Sequence, residues 1–113
     1  MRVLVADDET ETIGILQSFL ERRGCVVDCA ADGKEALELI KNKNYDVAFI
    51  DHNMPELTGL ELIKYIKLNN IRTKTVMLTG YGGMADFLAE SIGADAYIEK
   101  PFSLKDIESF IKE

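Results

Sequence analysis

Short apolar runs alternate with amphipathic stretches five times along the chain, and this alternation limits the fold more than any other feature. The runs are Val3-Leu4-Val5-Ala6, Cys25-Val26-Val27 closing at Cys29-Ala30, Val47-Ala48-Phe49-Ile50, Val76-Met77-Leu78 and Ala96-Tyr97-Ile98. Apolar runs this short suit strands buried on both faces of a parallel sheet. Between them, apolar residues recur at helical spacing. Ile13, Leu16 and Leu20 make the first stripe, and Ala36, Leu37 and Ile40 the second. Leu60, Ile63 and Ile66 follow, then Ala85, Leu88, Ala89 and Ile92, and finally Leu104, Ile107 and Ile111. Gly24, Asn42 and Asn44, Asn69-Asn70 and Gly93 punctuate the helix ends.

Five strand–helix repeats imply one doubly wound α/β domain with right-handed crossovers and helices on both faces of its sheet. A closed eight-unit barrel needs about twice the available 113 residues, so an open five-stranded sheet over residues 1–113 is expected. Hydrophobic residues make up 47% and charged residues 29%, which is enough apolar matter for a packed core. A net charge of -7 argues against a nucleic-acid surface and against anionic membranes. No apolar stretch is long enough to span a bilayer, and the first residues lack the pattern of a signal peptide. Cys25 and Cys29, placed on one strand, stand about 13 Å apart, too far for a disulfide. They fit reduced structural thiols in a cytoplasmic protein.

In open parallel sheets, ligands bind beyond the carboxyl ends of the strands. Asp7, Asp8 and Glu9 follow the first strand, and Asp51 ends the third, before His52 and Asn53. Thr79 closes the fourth, and Glu99 and Lys100 end the fifth, before Pro101. Carboxylates gathered at one edge raise one another's pKa, and a hard divalent cation removes that penalty. Mg²⁺ takes a few carboxylate oxygens, keeps waters and completes its shell with phosphate. Asp7, Asp8 and Asp51 supply the acids, and a carbonyl near Asn53 adds a neutral ligand. A carboxylate beside Mg²⁺ can attack a phosphoryl group and form an aspartyl phosphate. The Lys100 ammonium and the Thr79 hydroxyl are suited to stabilising the charge that develops.

With these residues in place, the chain resembles a receiver domain of bacterial two-component response regulators, including the single-domain chemotaxis members. The resemblance runs from Val3 to about Ile111. It rests on Asp7-Asp8, on Asp51-His52-Asn53-Met54-Pro55 with Gly59 following, on Thr79-Gly80, and on Lys100-Pro101-Phe102. It implies a flavodoxin-like sheet in the order 2-1-3-4-5. It also implies that Asp51 accepts phosphate from the phosphohistidine of a sensor histidine kinase or phosphotransfer protein. Mg²⁺ is then held by Asp7, Asp8, Asp51 and the backbone carbonyl of Asn53, and Thr79 and Lys100 contact the phosphoryl group. A cis peptide is expected between Lys100 and Pro101.

Tyr97 matches the family's switch aromatic. On phosphorylation Thr79 moves inward, the ring follows, and the face formed by the fourth predicted helix, the fifth strand and the fifth predicted helix changes shape. Such a phosphoryl group biases a bistable element. That face would meet a downstream protein or effector domain, and it is also a candidate homodimer surface. The expected role is a phosphorylation-activated switch, catalysing only its own phosphorylation and dephosphorylation. The chain ends with the fifth predicted helix, so no effector domain is expected within it.

His52, where the family more often has an aliphatic or aromatic residue, is read as structural, since strand alternation turns it away from Asp51. Tyr81 and Asn53 flank the acceptor and are expected to tune the lifetime of its phosphate. The glycine-rich stretch Gly80-Tyr81-Gly82-Gly83 suggests a mobile loop or a tight turn. Gly80, Gly82 and Ala85 also fit a dinucleotide fingerprint, but too few strands follow it. A flavodoxin-type FMN site is disfavoured because three acids would repel the cofactor phosphate. A Mg²⁺-dependent phosphatase usually carries Asp-x-Asp after its first strand, where this chain has adjacent acids.

Overall fold

The computed structural model describes residues 1–52, 54–80 and 93–111. Strands β1 (Arg2–Ala6), β2 (Val26–Ala30), β3 (Val47–Asp51), β4 (Lys74–Thr79) and β5 (Ala96–Glu99) form one sheet in the order β2-β1-β3-β4-β5. Every neighbouring pair is parallel. The described helices are α1 (Thr10–Arg22), α2 (Gly33–Asn42), α3 (Gly59–Leu68) and α4 (Leu104–Glu108). The stripe at Ala85, Leu88, Ala89 and Ile92 lies outside the described residues.

Successive strand residues point to opposite faces, so each central strand feeds two cores at once. Leu4, Ala6, Ala48, Ile50 and Met77 pack with α2 and α3. Val3, Val5, Val47, Phe49, Val76 and Leu78 pack with Leu16 and Leu20 of α1 and Ile107 of α4. Phe49 is fully buried and meets Phe110 edge to face, with centroids 6.2 Å apart. Such a pair adds about 0.5–1.5 kcal/mol beyond the area it buries.

The helix stripes seat as the periodicity predicts through α1, α2 and α3, with Leu62 fully buried in addition. α4 departs from that pattern. The helix stops at Glu108, Ile111 lies in the turn beyond, and Leu104 is exposed. β2 also departs from it, because it is an edge strand. Val26 is 58% exposed, so this strand is not buried on both faces. Cys25 precedes the strand rather than sharing it, and both cysteines are free thiols. Among the described residues, no helix is long and apolar enough to cross a membrane.

Candidate functional site

The chain order places a switch point between β1 and β3. From β1 the chain crosses to β2 on one side, and from β2 it returns over β1 to β3 on the other. Connections that diverge in this way open a crevice at the carboxyl ends of the two strands. Ala6 and Ile50 are register partners, so Asp7 and Asp51, each the next residue along, reach that crevice together. Thr79 ends β4 one residue beyond Leu78, the partner of Asp51. Lys100 follows β5 and donates its backbone N–H to the Thr79 carbonyl at 2.6 Å. The Lys100–Pro101 peptide is cis.

The side chains converge. Carboxylate oxygens of Asp7, Asp8 and Asp51 lie within 4.8 Å of one another. Asp7 is fully buried, Asp51 is 6% exposed, and Asp8 faces solvent. Lys100 Nζ stands 2.9 Å from Asp7 Oδ2, 2.9 Å from Glu9 Oε1 and 3.4 Å from Asp51 Oδ1. Burial and the neighbouring Asp7 charge raise the Asp51 carboxyl from the usual 3.8 to about 6, against the pull of Lys100. Burial disfavours the Lys100 ammonium, but hydrogen bonds to Asp7 and Glu9 outweigh it and hold its pKa above the ordinary lysine value.

The donor set is all oxygen and mostly anionic, which suits a hard divalent cation. Opposed ligands of an octahedral ion of this kind lie about 4.2 Å apart, slightly less than the 4.8 Å span of the three acids, so a bound ion would draw them a little closer together. Asn53, expected to lend its carbonyl, lies outside the described residues, as do Tyr81, Gly82 and Gly83. Thr79 is fully buried at its strand end. Tyr97 is half-buried on β5, in register with Met77 and against the core shared with α2 and α3. His52 is half-buried, and its backbone bridges elements by donating to the Leu78 carbonyl and accepting from the Gly59 N–H.

Two glycines hold the loop after Asp51 in place. A Cβ on Gly59 would lie 2.2 Å from the Asp51 carbonyl oxygen, and one on Gly33 would lie 1.8 Å from that of Leu57. Gly33 also donates its N–H to the Pro55 carbonyl, so the start of α2 seats the segment that follows Asp51. Sequence reasoning gave no role to Gly33, to Gly59 beyond its place in the motif, or to Glu9 beyond its charge.

The family model described as the response regulator receiver domain matches residues 3–112. The chain belongs to the response regulator receiver family. Among curated relatives, the transcriptional regulatory protein TctD of Salmonella typhimurium is 33% identical over 99% of this chain and 50% of its own length. This receiver thus spans about half the length of the curated relatives it matches. Among solved structures, the Francisella response regulator 1452 receiver domain is 37% identical with a TM-score of 0.88, covering 94% of this chain and 88% of that one. Response regulator TrrA of Thermotoga maritima, solved in complex with Mg²⁺-BeF, is 32% identical with a TM-score of 0.84, covering 96% and 93%. Receivers of this family act as phosphorylation-activated switches in two-component signalling and are not metabolic enzymes. Membership sets aside the FMN electron-carrier, dinucleotide-binding and phosphatase alternatives, while the flavodoxin-like strand order stands.

Proposed function

We propose that Asp51 is the phosphoacceptor of this receiver. The observation that carries the reading is the meeting of Asp7, Asp8 and Asp51 within 4.8 Å, with the Lys100 ammonium 3.4 Å from Asp51. An Asp51 oxygen attacks phosphorus of a phosphohistidine on a sensor histidine kinase or phosphotransfer protein. The new P–O bond forms as the P–N bond breaks, and the imidazole leaves with that electron pair. Mg²⁺, when bound, offsets negative charge on the transferring group. Asp7, Asp8, Asp51 and the Asn53 carbonyl would hold it. Lys100 and Thr79 stabilise the phosphoryl oxygens. In the separate dephosphorylation step, water attacks phosphorus, the Asp51–phosphoryl bond breaks with its electron pair going to the Asp51 carboxylate, and inorganic phosphate leaves.

A groove of about 470 Å³ opens beside Lys100, lined also by Thr12, Ile15, Pro101, Phe102 and Leu104. Ile15 is 56% and Leu104 39% exposed there, which supports a protein donor docking over the site. The output then passes through Thr79 and Tyr97 to the face of β5, α4 and the predicted helix between Ala85 and Ile92. A downstream protein, an effector domain or a second copy would meet that face, in the cytoplasm.

The test is intact mass after incubation with acetyl phosphate, with and without Mg²⁺. The wild type should gain one phosphoryl group only with Mg²⁺, and Asp51→Asn should gain none. Equal labelling of both proteins would overturn the assignment. Lys100→Ala should still bind Mg²⁺ but uncouple phosphorylation from the output change.

A further inference from the structure

Glu9 occupies the N-cap position of α1 but its side chain makes no capping hydrogen bond. An N-cap favours short side chains whose oxygen reaches the N–H two or three residues on. The other described helices follow that rule, with Asp32, Thr58 and Ser103 accepting from the backbone of Glu35, Glu61 and Asp106. Glu9 instead sends its carboxylate to Lys100, at 2.9 Å. Its own backbone N–H donates to Asp7 Oδ1 at 2.9 Å, while Asp7 Oδ2 takes Lys100 at the same distance. Asp7 therefore fixes the Glu9 backbone and shares its lysine.

We propose that Glu9 is a positioning residue that holds Lys100 back from Asp51, and that the phosphorylated state forms at the expense of this ion pair. The inference rests on Asp51 being the phosphoacceptor. The ammonium has three donors, and two are committed to Asp7 and Glu9 at charge-assisted hydrogen-bond distance. Its approach to Asp51, at 3.4 Å, is longer. A phosphoryl group on Asp51 adds anionic oxygens that compete for the same cation. Asp7 is a poor partner to release, because its side chain is fully buried and would be left uncompensated. Glu9 is 61% exposed and can return to water. It is the contact that gives way, and it sets a toll on the active state.

Trifluoroberyllate, a phosphoryl mimic on carboxylates, tests this without turnover. Its affinity in saturating Mg²⁺ is read by fluorine NMR titration. Glu9→Gln should bind it about two- to fivefold tighter than wild type, the range a single exposed ion pair commands. Glu9→Asp keeps the charge but is one methylene shorter, and it should gain affinity similarly while capping α1. Glu11→Gln removes the same charge from an exposed position in the first turn of α1 and should leave affinity near wild type. The proposal is overturned if Glu9→Asp stays at wild-type affinity, or if Glu11→Gln gains as much as Glu9→Gln. Failure of the wild type itself to bind the mimic would overturn the Asp51 reading, and this inference with it.

Discussion

Lys100 Nζ lies 2.9 Å from Asp7 Oδ2, a contact between residues 93 positions apart. It ties the end of β5 to the end of β1 across the two strands between them. A carboxylate sealed from water needs a counter-charge, and Lys100 is the ammonium facing it.

Removing that ammonium should therefore cost stability. Lys100→Met strands Asp7 and is expected to lower unfolding free energy by about 2–4 kcal/mol in metal-free buffer. Adding Asp7→Asn in the same chain should recover most of the loss. Urea midpoints of the two single variants, the double variant and wild type measure the coupling. A Lys100→Met midpoint equal to wild type would contradict the argument.

The raised Asp51 carboxyl predicts a pH dependence of definite sign. Its folded value of about 6 exceeds the usual 3.8, so the folded chain holds the proton longer than the unfolded chain. Stability falls as pH rises from about 4 to about 6, by about 1–3 kcal/mol in total, and the penalty stays constant above that. Asp51→Asn should escape it, matching wild type near pH 4 and exceeding it at pH 7. Asp28 and Asp95 act in the opposite sense. The hydrogen bond from Tyr45 lowers Asp28. Burial would raise Asp95, but the Thr75 N–H and Lys67 overcome it. Their contribution is lost as pH falls below about 4, in both proteins, so it cancels in the comparison.

Magnesium should stabilise the fold through the same carboxylates. At tenfold the dissociation constant the gain is about 1.4 kcal/mol. Thermal melts against MgCl₂, with NaCl at matched ionic strength as control, should show it in wild type. Asp8→Asn and Asp51→Asn should lose most of it. An equal rise in all three proteins would mean that the ion acts elsewhere.

Glycine positions should separate by contact, not by conformational freedom. Gly33→Ala and Gly59→Ala drive a Cβ into backbone carbonyls and should each cost about 1–3 kcal/mol. Gly59→Ala should also slow the proposed phosphorylation of Asp51, since it pushes on the Asp51 carbonyl itself. Gly14 lies inside α1 with nothing within 4 Å of its Cβ position. Gly14→Ala should add about 0.5–1 kcal/mol. Chemical denaturation of the three variants decides this.

Much of the site is legible in the primary sequence, because a strand's last residue and its successors are marked by the end of an apolar run. That rule places Asp7, Asp51, Thr79 and Lys100 at strand ends without any coordinates. The same periodicity locates Leu16, Leu20, Ala36, Ile40, Ile63 and Ile66 in the core. It fails where burial depends on rank within the sheet. Val26 reads as a core strand residue, yet β2 lies at an edge and Val26 is exposed.

The sequence by itself determined the succession along the chain of the five strands and the described helices, the two-faced burial of the central strands, and the set of chemical groups delivered to one edge. Local pattern suffices for these, because side-chain direction repeats with the period of the element that carries it. Only the tertiary structure decided which groups touch. That Lys100 meets Glu9 and Asp7 more closely than Asp51, and that Gly33 makes room for the Leu57 carbonyl, follows from strand order and from the register of neighbouring strands. Those quantities emerge when two cores are packed against one twisted sheet, and no stretch of residues carries them alone.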